Sequence, residues 1–267
     1  MKPIISVIVP THNEELNIGR CLKSIKQASG PPTEILVVDN NSYDKTTVIA
    51  RQFTPKIYQL AGERSKQRNF GAKKSIGRYF LFLDADMEIG KGVLNECLAL
   101  AKQGMRAIVI SEKVIGKNFW GRCRALEKSC YLGDETIEAV RFIGAKLFLI
   151  VNGYDEKLIA AEDWDLTQRI KMSGAKIGHT KQFVIHHEKE THLGQKFCKK
   201  YYYGQNISLY LKKHPQIARH QLFPIRPALV FHLPKLLTHP LLFTGLVILK
   251  TTEFLGVGLG YLKSKIL

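Results

Sequence analysis

The chain has 267 residues and a formal net charge of +17, from 40 lysine and arginine residues against 23 aspartate and glutamate residues. Its hydrophobic content of 45% and charged content of 24% are those of a folded protein and exclude a disordered chain. The five cysteines include no C-x-x-C pair, which argues against a disulfide framework and a zinc ribbon, so we expect a reducing compartment.

The first third of the chain alternates short apolar segments with helical patterns. Strands are expected at 4–9, 35–38 and 79–83, and helical patterns follow the first two strands, at 14–25 and 46–53. Continuous apolar strands that alternate with helices indicate a parallel sheet covered by helices on both faces. The sequence therefore predicts an α/β fold.

Polar side chains follow each of these three strands at the point where the strand ends. In parallel α/β sheets, ligands bind outside the carboxyl ends of the strands, so these side chains are expected along one rim. This layout is typical of a nucleotide site. The side chains are, strand by strand, Thr11, Asn13 and Glu14, then Asp39 and Asn40, then Asp84 and Asp86.

The triplet Asp84-Ala85-Asp86 is the centre of the functional prediction. Two carboxylates this close at the end of a buried strand repel each other, which raises a pKa unless a positive charge compensates them. A divalent cation, Mn²⁺ or Mg²⁺, that bridges to phosphate oxygens supplies that charge. We favour a metal–nucleotide site over solvated turn carboxylates or a helix cap.

Two further groups of charged residues are candidates for the same site. Glu162 and Asp163 begin a helix, where an acid is most often a cap, but facing a metal site it would suit a general base. Arg64 and Arg68 are four residues apart and share one helix face. That face is either solvated or a guanidinium clamp for a diphosphate.

Two consecutive histidines, His186 and His187, follow an apolar pair where a strand is expected to end. A histidine in this position is usually structural, but a neutral imidazole would also complete an oxygen-rich metal shell. The sequence leaves open which of the two points inward.

The last quarter of the chain has a different composition. Residues 195–267 contain 11 lysines and arginines and one acid, Glu253, a net charge of +10. Residues 241–262 would reach about 33 Å as a helix, just enough to cross a bilayer, but Lys250 to Glu253 interrupt their apolar character. We expect two short apolar helices in the membrane interface rather than one spanning helix. The sequence also predicts two regions, a catalytic domain at 1–190 and a helical, membrane-associated region at 191–267.

Taken together, these motifs resemble glycosyltransferase family 2, whose members are inverting nucleotide-sugar transferases with a GT-A fold, a Rossmann-like, mostly parallel sheet. The resemblance extends from about Ile4 to Glu188. It rests on five segments in the family's order, which are Val7 to Glu15, Val37 to Ser42, Glu63 to Ala72, Leu81 to Asp86, and Gly153 to Glu156 followed by Glu162-Asp163.

The resemblance implies a role for each matched residue. Asp163 would be the catalytic base, and Asp86 would ligate the metal together with His186, with His187 as the alternative. The groups implied to hold the nucleotide sugar are Thr11, Asn13 and Glu14 for the base and ribose, Asp39 for the base, Asp84 and Ala85 for the ribose or donor sugar, and Arg64 and Arg68 for the diphosphate.

The implied activity is metal-dependent transfer of one hexose from a nucleoside-diphosphate sugar to an acceptor hydroxyl. Gln168-Arg169-Ile170 stands in place of the Gln-x-x-Arg-Trp signature of processive synthases, which favours a single addition. The basic, apolar tail suggests a lipid-linked or other glycan acceptor at the cytoplasmic face of the cell membrane, with peripheral or monotopic attachment to an anionic surface.

Three other functions remain open. The first is transfer of the sugar to a polyprenyl phosphate, and the second is a nucleotidyltransferase that uses the same carboxylates and metal. The third is a nucleic-acid-binding protein that uses the net charge of +17. Acidic residues in the predicted cleft and the lack of a basic recognition motif argue against this third function, so we expect no nucleic-acid partner.

Overall fold

The computed structural model describes residues 2–28, 30–188, 192–223 and 226–266. They form two compact units that are discontinuous in sequence, whereas the sequence-based division is a single boundary after residue 190. The second unit takes up two internal segments because a helix at Phe119–Ser129 packs with the C-terminal helices. The first unit comprises 1–111, 139–156 and 162–186, and the second comprises 112–138, 157–161 and 187–267.

One mixed sheet of eight strands runs in the order β3-β2-β1-β4-β7-β6-β8-β5. Strands β3, β2, β1 and β4 are parallel, whereas β7 is antiparallel to β4 and β6, and β5 is antiparallel to β8. The sheet is therefore parallel only in its first half. The strands are β1 Ile5–Thr11, β2 Thr33–Asp39, β3 Ile57–Gln59, β4 Tyr79–Phe82, β5 Met87–Ile89, β6 Ala107–Gly116, β7 Val140–Gly144 and β8 Ile177–Glu188.

The helices of the first unit cover both faces of this sheet, as predicted. Alternate residues of β1 enter opposite hydrophobic clusters, Val7 and Val9 on one face and Ile8 on the other, because successive strand side chains point to opposite sides. The helices are α1 Ile18–Gln27, α2 Thr46–Ala50, α3 Arg64–Lys74, α4 Val93–Lys102, α6 Ala145–Ile150 and α7 Glu162–Met172.

Helix α3 lies unusually close to β1. A Cβ atom placed on Gly71 would come within 2.5 Å of Cγ2 of Ile8 and 3.3 Å of Cγ2 of Val38. Glycine is therefore needed here for the close approach that brings the first turn of α3 to the carboxyl end of the sheet.

Replacing Gly71 with alanine is expected to destabilise the protein by about 1–3 kcal/mol, because the new methyl group overpacks the contact with Ile8. Urea unfolding would measure the change. Gly194→Ala, on a helix where an added Cβ meets nothing within 4 Å, is the matched control and should be neutral or slightly stabilising. Equal unfolding midpoints for the two variants would contradict the assigned close contact.

The second unit is helical and is built around its longest helix, α13. Side chains of α5 and α13, such as Cys123, Leu126, Leu246 and Leu249, share one hydrophobic cluster. Its helices are α5 Phe119–Ser129, α8 Leu193–Asn206, α9 Ser208–Lys213, α10 Pro215–Leu222, α11 Pro227–Phe231, α12 Leu233–Leu237 and α13 Pro240–Ile266.

Helix α13 corrects the expectation of two short apolar helices. It is one continuous helix of 27 residues, with a mean hydropathy of 1.5 in its most apolar stretch, so its length and composition would allow it to cross a membrane. The polar middle does not break it, because Lys250 pairs with Glu127 and Glu253, each at 3.0 Å. Glu253 is 4% exposed. These two charges are paired inside the second unit.

Candidate active site

The loops after β1 and β2 are joined by hydrogen bonds at the carboxyl end of the sheet. The backbone amide of Asn13 donates to Oγ of Ser42 at 2.8 Å, and Oδ1 of Asn13 accepts from the amide of Tyr43 at 3.1 Å. Asn13 has φ = +53°, a left-handed conformation that asparagine tolerates. The buried Asp39 accepts from both the amide and the hydroxyl of Ser42, at 2.8 and 2.6 Å.

Thr11 and Glu14 lie on the same rim. The strand register places Thr11 beside Asp39. The Thr11 hydroxyl is buried and has no hydrogen-bond partner within the part of the chain that the structure describes. The amide of Glu14 donates to Oγ1 of Thr46, and its carboxylate accepts from Nδ2 of Asn17. The structure thus brings together the predicted residues Thr11, Asn13, Glu14 and Asp39.

Gln67 fixes the spacing of this rim and was not singled out as a site residue from the sequence. Its amide nitrogen donates to the carbonyl oxygens of Thr11 at 3.1 Å and Val38 at 2.6 Å, and its side chain is buried. The only signal in the sequence is its place in the Glu63 to Ala72 segment. The two hydrogen bonds join the ends of β1 and β2 through one side chain.

Arg68 connects the predicted donor-binding carboxylate with the predicted base. Its Nη2 donates to Oδ1 of Asp84 at 2.7 Å, and its Nη1 donates to Oδ1 of Asp163 at 2.7 Å. The same Nη1 lies 3.3 Å from Oε1 of Glu162. The guanidinium is 1% exposed and lies 5.1 Å from the centre of the Tyr154 ring. Both terminal nitrogens of Arg68 therefore bind carboxylates, which differs from the predicted diphosphate clamp.

Arg64 and Arg141 complete the positive charge around this cluster. Nη2 of Arg64 lies 3.8 Å from Glu162, and its side chain is 43% exposed. Nη1 of Arg141 lies 3.8 Å from Oδ2 of Asp84. Arg141 comes from β7, far from every matched motif, so the sequence contained no signal for it. Of the predicted pair, Arg64 is the more accessible to a ligand.

The pKa values of two carboxyl groups in this cluster, Asp84 and Glu162, are shifted in opposite directions. Burial alone raises the pKa of Asp84, but the surrounding guanidinium groups, Arg68 first, outweigh it and hold that pKa well below its usual range. Burial and the neighbouring charge of Asp163 raise the pKa of Glu162. Asp84 is thus kept ionised at neutral pH, as a ligand for hydroxyl groups requires.

Asn69 attaches the loop after α6 to α3. Its side chain accepts from the amide of Tyr154 and donates to the carbonyl of Tyr154, each at 2.9 Å, and it also donates to Oε1 of Glu156. Gly153 has φ = +59°, and an added Cβ would meet Oδ1 of Asn69 at 2.7 Å. The Gly153 to Glu156 motif therefore positions the ring of Tyr154 against Arg68.

Asp86 and His186 form the second half of the site. Strand β5 pairs with β8 in a register that aligns Met87 with His186, and Nε2 of His186 lies 3.2 Å from Oδ2 of Asp86. Both histidines lie within β8 rather than after its end, because the strand continues to Glu188. Successive strand side chains alternate in direction, which turns His187 to the other face. Ala85 is buried between the two aspartates.

The site offers a metal ion only part of a coordination shell. Within the described ranges, no group of three or more histidine, cysteine, aspartate or glutamate residues has a metal-binding arrangement. Asp86 and His186 are 24% and 21% exposed at their side chains. Mg²⁺ and Mn²⁺ typically take one or two protein ligands and fill the remaining positions with phosphate oxygens and water. The pair therefore fits an ion that arrives with a nucleotide.

Comparison with known proteins agrees with this fold. The chain is similar to glycosyltransferase AglE of Haloferax volcanii, 40% identical over 93 residues that cover 32% of this chain and 31% of the relative. It is also similar to the GalNAc(5)-diNAcBac-PP-undecaprenol β-1,3-glucosyltransferase of Campylobacter jejuni, 28% identical over 155 residues that cover 53% and 50%. The chain thus spans half or less of the length of these relatives.

A solved structure supports the fold over the whole chain. The mannosyltransferase PcManGT of Pyrobaculum calidifontis, in complex with GDP-Man and Mn²⁺, superposes with a TM-score of 0.69 at 16% identity, covering 99% of this chain and 88% of that one. This likeness confirms the predicted fold class. The sequence profile described as Glycosyl transferase family 2 matches residues 6–150, more than half of the chain. The predicted resemblance is therefore confirmed, and this chain belongs to glycosyl transferase family 2.

Proposed function

We propose that this chain transfers one hexose from a nucleoside-diphosphate sugar to an acceptor hydroxyl, with inversion at the anomeric carbon and with a bound Mn²⁺ or Mg²⁺. One observation carries the proposal: Arg68 holds Asp84 and Asp163 in a single cluster, each at 2.7 Å, on the rim formed by the carboxyl ends of β1, β2 and β4. Membership of the family makes a nucleotide sugar the donor most consistent with that rim.

The rim offers distinct surfaces for the parts of the donor. The buried Thr11 hydroxyl and the loop held by Asp39 would receive the base and ribose, and the ionised Asp84 would accept a hydrogen bond from a sugar hydroxyl. The exposed part of Arg64 would bind the diphosphate. Arg141, near Asp84, would add positive charge on the same side.

Asp86 and His186 are the residues proposed to hold the metal ion. When bound, the ion supplies a Lewis acid that offsets negative charge on the departing diphosphate. The likeness to a mannosyltransferase bound to GDP-Man and Mn²⁺ supports divalent-metal use in this fold, although that protein is only 16% identical.

Asp163 is the proposed base. Its Oδ1 accepts from Arg68, which leaves Oδ2 to take the proton of the acceptor hydroxyl, and the side chain is 36% exposed. The acceptor oxygen forms the new bond to the anomeric carbon as the bond to the diphosphate oxygen breaks, so the configuration inverts. The proton remains on Asp163 until solvent removes it. No covalent bond to the protein is required.

We further propose a lipid-linked glycan as acceptor, with the protein attached peripherally or monotopically to the cytoplasmic face of the membrane. The name of the Campylobacter jejuni relative specifies an undecaprenol-linked acceptor, which supports this class for a chain of the same family. The net charge of +10 over residues 195–267 and the apolar helix α13 are consistent with an anionic membrane surface.

Thermal shift with Mn²⁺ and a panel of nucleotide sugars tests the proposal. One nucleoside diphosphate and its sugar should raise the melting temperature, and the sugar should be released slowly to water without acceptor. Absence of both effects across the panel would refute a nucleotide-sugar transferase. With acceptor present, a new bond to phosphate rather than to a sugar hydroxyl would favour transfer to a polyprenyl phosphate.

Replacing Asp86 or His186 with alanine is expected to weaken Mn²⁺-dependent nucleotide binding by at least about 10-fold, because each removes a proposed metal ligand. Isothermal titration with and without Mn²⁺ measures the effect. His179→Ala, on the same strand β8 but seven residues earlier, is the control and should bind as the unmodified protein does. Equal Mn²⁺ dependence in all four proteins would exclude Asp86 and His186 as ligands.

A further inference from the structure

The exposed side of α13 is predominantly apolar, and its exposed polar residues between positions 241 and 262 are Thr244 and Thr251. Six large side chains on this side, which we call the outer face of α13, are between 45% and 78% exposed. At 100° per residue, the arc that contains them has no charged residue between positions 241 and 262, a distance of about 32 Å. They are Leu241, Ile248, Phe254, Leu255, Leu259 and Leu262.

The opposite side of α13 packs against α8 almost backbone to backbone. A Cβ on Gly204 of α8 would lie 2.2 Å from the carbonyl oxygen of Val257, and one on Gly260 would lie 2.1 Å from the carbonyl oxygen of Tyr201. Such contacts need glycine on both helices. Helices α8 and α13 are therefore closely packed along their length.

Charged side chains are enclosed on this same inner side. Lys250 and Glu253 of α13 meet Glu127 and Arg124 of α5 and Lys200 of α8. We call these five residues the interior charge cluster. Burial lowers the pKa of Lys200 to about 8. The central charges of α13 therefore lie on its inner side, beside apolar contacts of Leu246 and Leu249, whereas its outer face is apolar and uncharged.

This arrangement argues against a helix that crosses a bilayer. A spanning α13 would carry α8 into the hydrocarbon, together with Lys196, Lys199 and the interior charge cluster. Each lysine at the centre of a membrane costs about 2.5–3.5 kcal/mol on insertion scales. A helix parallel to the membrane avoids this cost, because only the outer face enters the apolar region.

We propose that α13 lies in the plane of an anionic bilayer, with its outer face in the interfacial region and its inner side held by α8 and the interior charge cluster. The inference rests on the membrane attachment contained in the proposed function and specifies the orientation of α13 in the bilayer.

Charge identifies the occupant of the outer face as an anionic membrane rather than another protein surface. Exposed lysines flank the apolar band, Lys235 before α13 and Lys263 and Lys265 at its end. Further exposed apolar side chains precede it, Phe231 at 81% and Leu237 at 57%. An apolar band bordered by lysines matches an acyl layer beneath negatively charged head groups.

Vesicle flotation of the full chain, without donor or acceptor, is the first test. Binding is expected to vesicles of phosphatidylcholine with phosphatidylglycerol, and to be weaker with phosphatidylcholine alone. Phe254→Glu with Leu255→Glu should weaken binding at least about 10-fold, because two apolar side chains leave the bilayer. Leu149→Glu with Ile150→Glu, an adjacent pair on α6 that is 71% and 69% exposed, is the matched control and should bind normally.

Depth-dependent fluorescence quenching separates the two orientations in protein that keeps Phe254 and Leu255 and carries one probe at a time. Probes are attached at Leu241→Cys, Thr251→Cys or Leu262→Cys in a Cys198→Ser background, since the other four cysteines are buried. A helix in the plane places all three probes at one shallow depth. A spanning helix places the probe at 251 about 15 Å deeper than those at the ends.

Three outcomes would overturn the inference: a depth profile that is deepest at 251, no flotation with anionic vesicles, or an outer-face variant that changes the oligomeric state instead of lipid binding. None of these would affect nucleotide-sugar binding by the first unit. Loss of donor binding with normal flotation would instead count against the proposed function alone.

Discussion

Replacing Asp163 with asparagine is expected to lower the rate of sugar transfer by a factor of about 10² to 10⁴, the usual contribution of a positioned general base. The amide keeps the size of the side chain and an oxygen that accepts from Arg68, but it cannot take the acceptor proton. Donor binding should change little, because Asp163 is not among the residues proposed to hold the nucleotide. Steady-state kinetics should therefore show a loss in kcat with a nearly constant donor KM.

Glu88→Gln is the matched control for this variant. Glu88 is a partly exposed carboxylate that pairs with Arg20 at 3.1 Å, and it lies outside the cluster around Arg68. We expect its kinetics to equal those of the unmodified protein. Retention of full activity by the asparagine variant, measured with a saturating donor, would remove Asp163 from the role of base and return it to a structural role at the start of α7.

Replacing Arg68 with methionine is expected to destabilise the protein by about 3–5 kcal/mol, the typical cost of removing one partner from a buried ion pair. Methionine preserves much of the volume, so the loss comes from the carboxylates of Asp84, Glu162 and Asp163 that remain without compensation. Without the guanidinium, the pKa of Asp84 should also rise.

The pH dependence separates this electrostatic effect from a loss of packing. The depressed pKa of Asp84 in the folded protein contributes stability above its ordinary value of 3.8, and that contribution disappears as the pH falls. The difference in the free energy of unfolding between Arg68→Met and the unmodified protein should therefore be large at pH 7 and should become smaller below about pH 4. Urea unfolding at several pH values measures it.

Two further variants make this result interpretable. Arg78→Met removes an exposed arginine of the same unit and should change the free energy of unfolding by less than about 0.5 kcal/mol. Arg68→Met combined with Glu162→Gln should recover part of the loss, because one unpaired buried charge is removed. If Arg68→Met and Arg78→Met have equal free energies of unfolding at pH 7, the Arg68 guanidinium does not stabilise the protein by compensating the charges of these carboxylates.

Local features could be predicted from the sequence with good accuracy. Strands β1, β2 and β4 were predicted from short apolar runs, β-branched in the first two and aromatic in the third. The polar residues after them were placed on one rim because parallel strands share a direction. The sequence also indicated a helix beginning at the Glu162-Asp163 motif, and α7 begins at Glu162. Each of these inferences depends only on neighbours along the chain.

Partners distant in sequence were beyond such reasoning. The spacing of Arg64 and Arg68 indicated a shared helix face but not that Arg68 would be enclosed by carboxylates from two other elements. Arg141 has no sequence feature that distinguishes it from other polar residues, and Gln67 has only its place in the Glu63 to Ala72 segment. The charged middle of α13 indicated a break in the helix, because its partners on α5 and α8 are not visible from the composition of α13 itself.

By itself, then, the sequence determined the α/β class, the family, the carboxylates of the rim and the basic, apolar character of the C-terminal quarter. Only the tertiary structure decided that Arg68 joins Asp84 to Asp163, partners 16 and 95 residues away, and that His186 contacts Asp86. It also decided that α13 is one helix with Lys250 and Glu253 on its inner side. The reason is physical. Apolar periodicity is a local property of the chain, whereas the pairing of a buried charge depends on which side chains packing brings within a few ångströms.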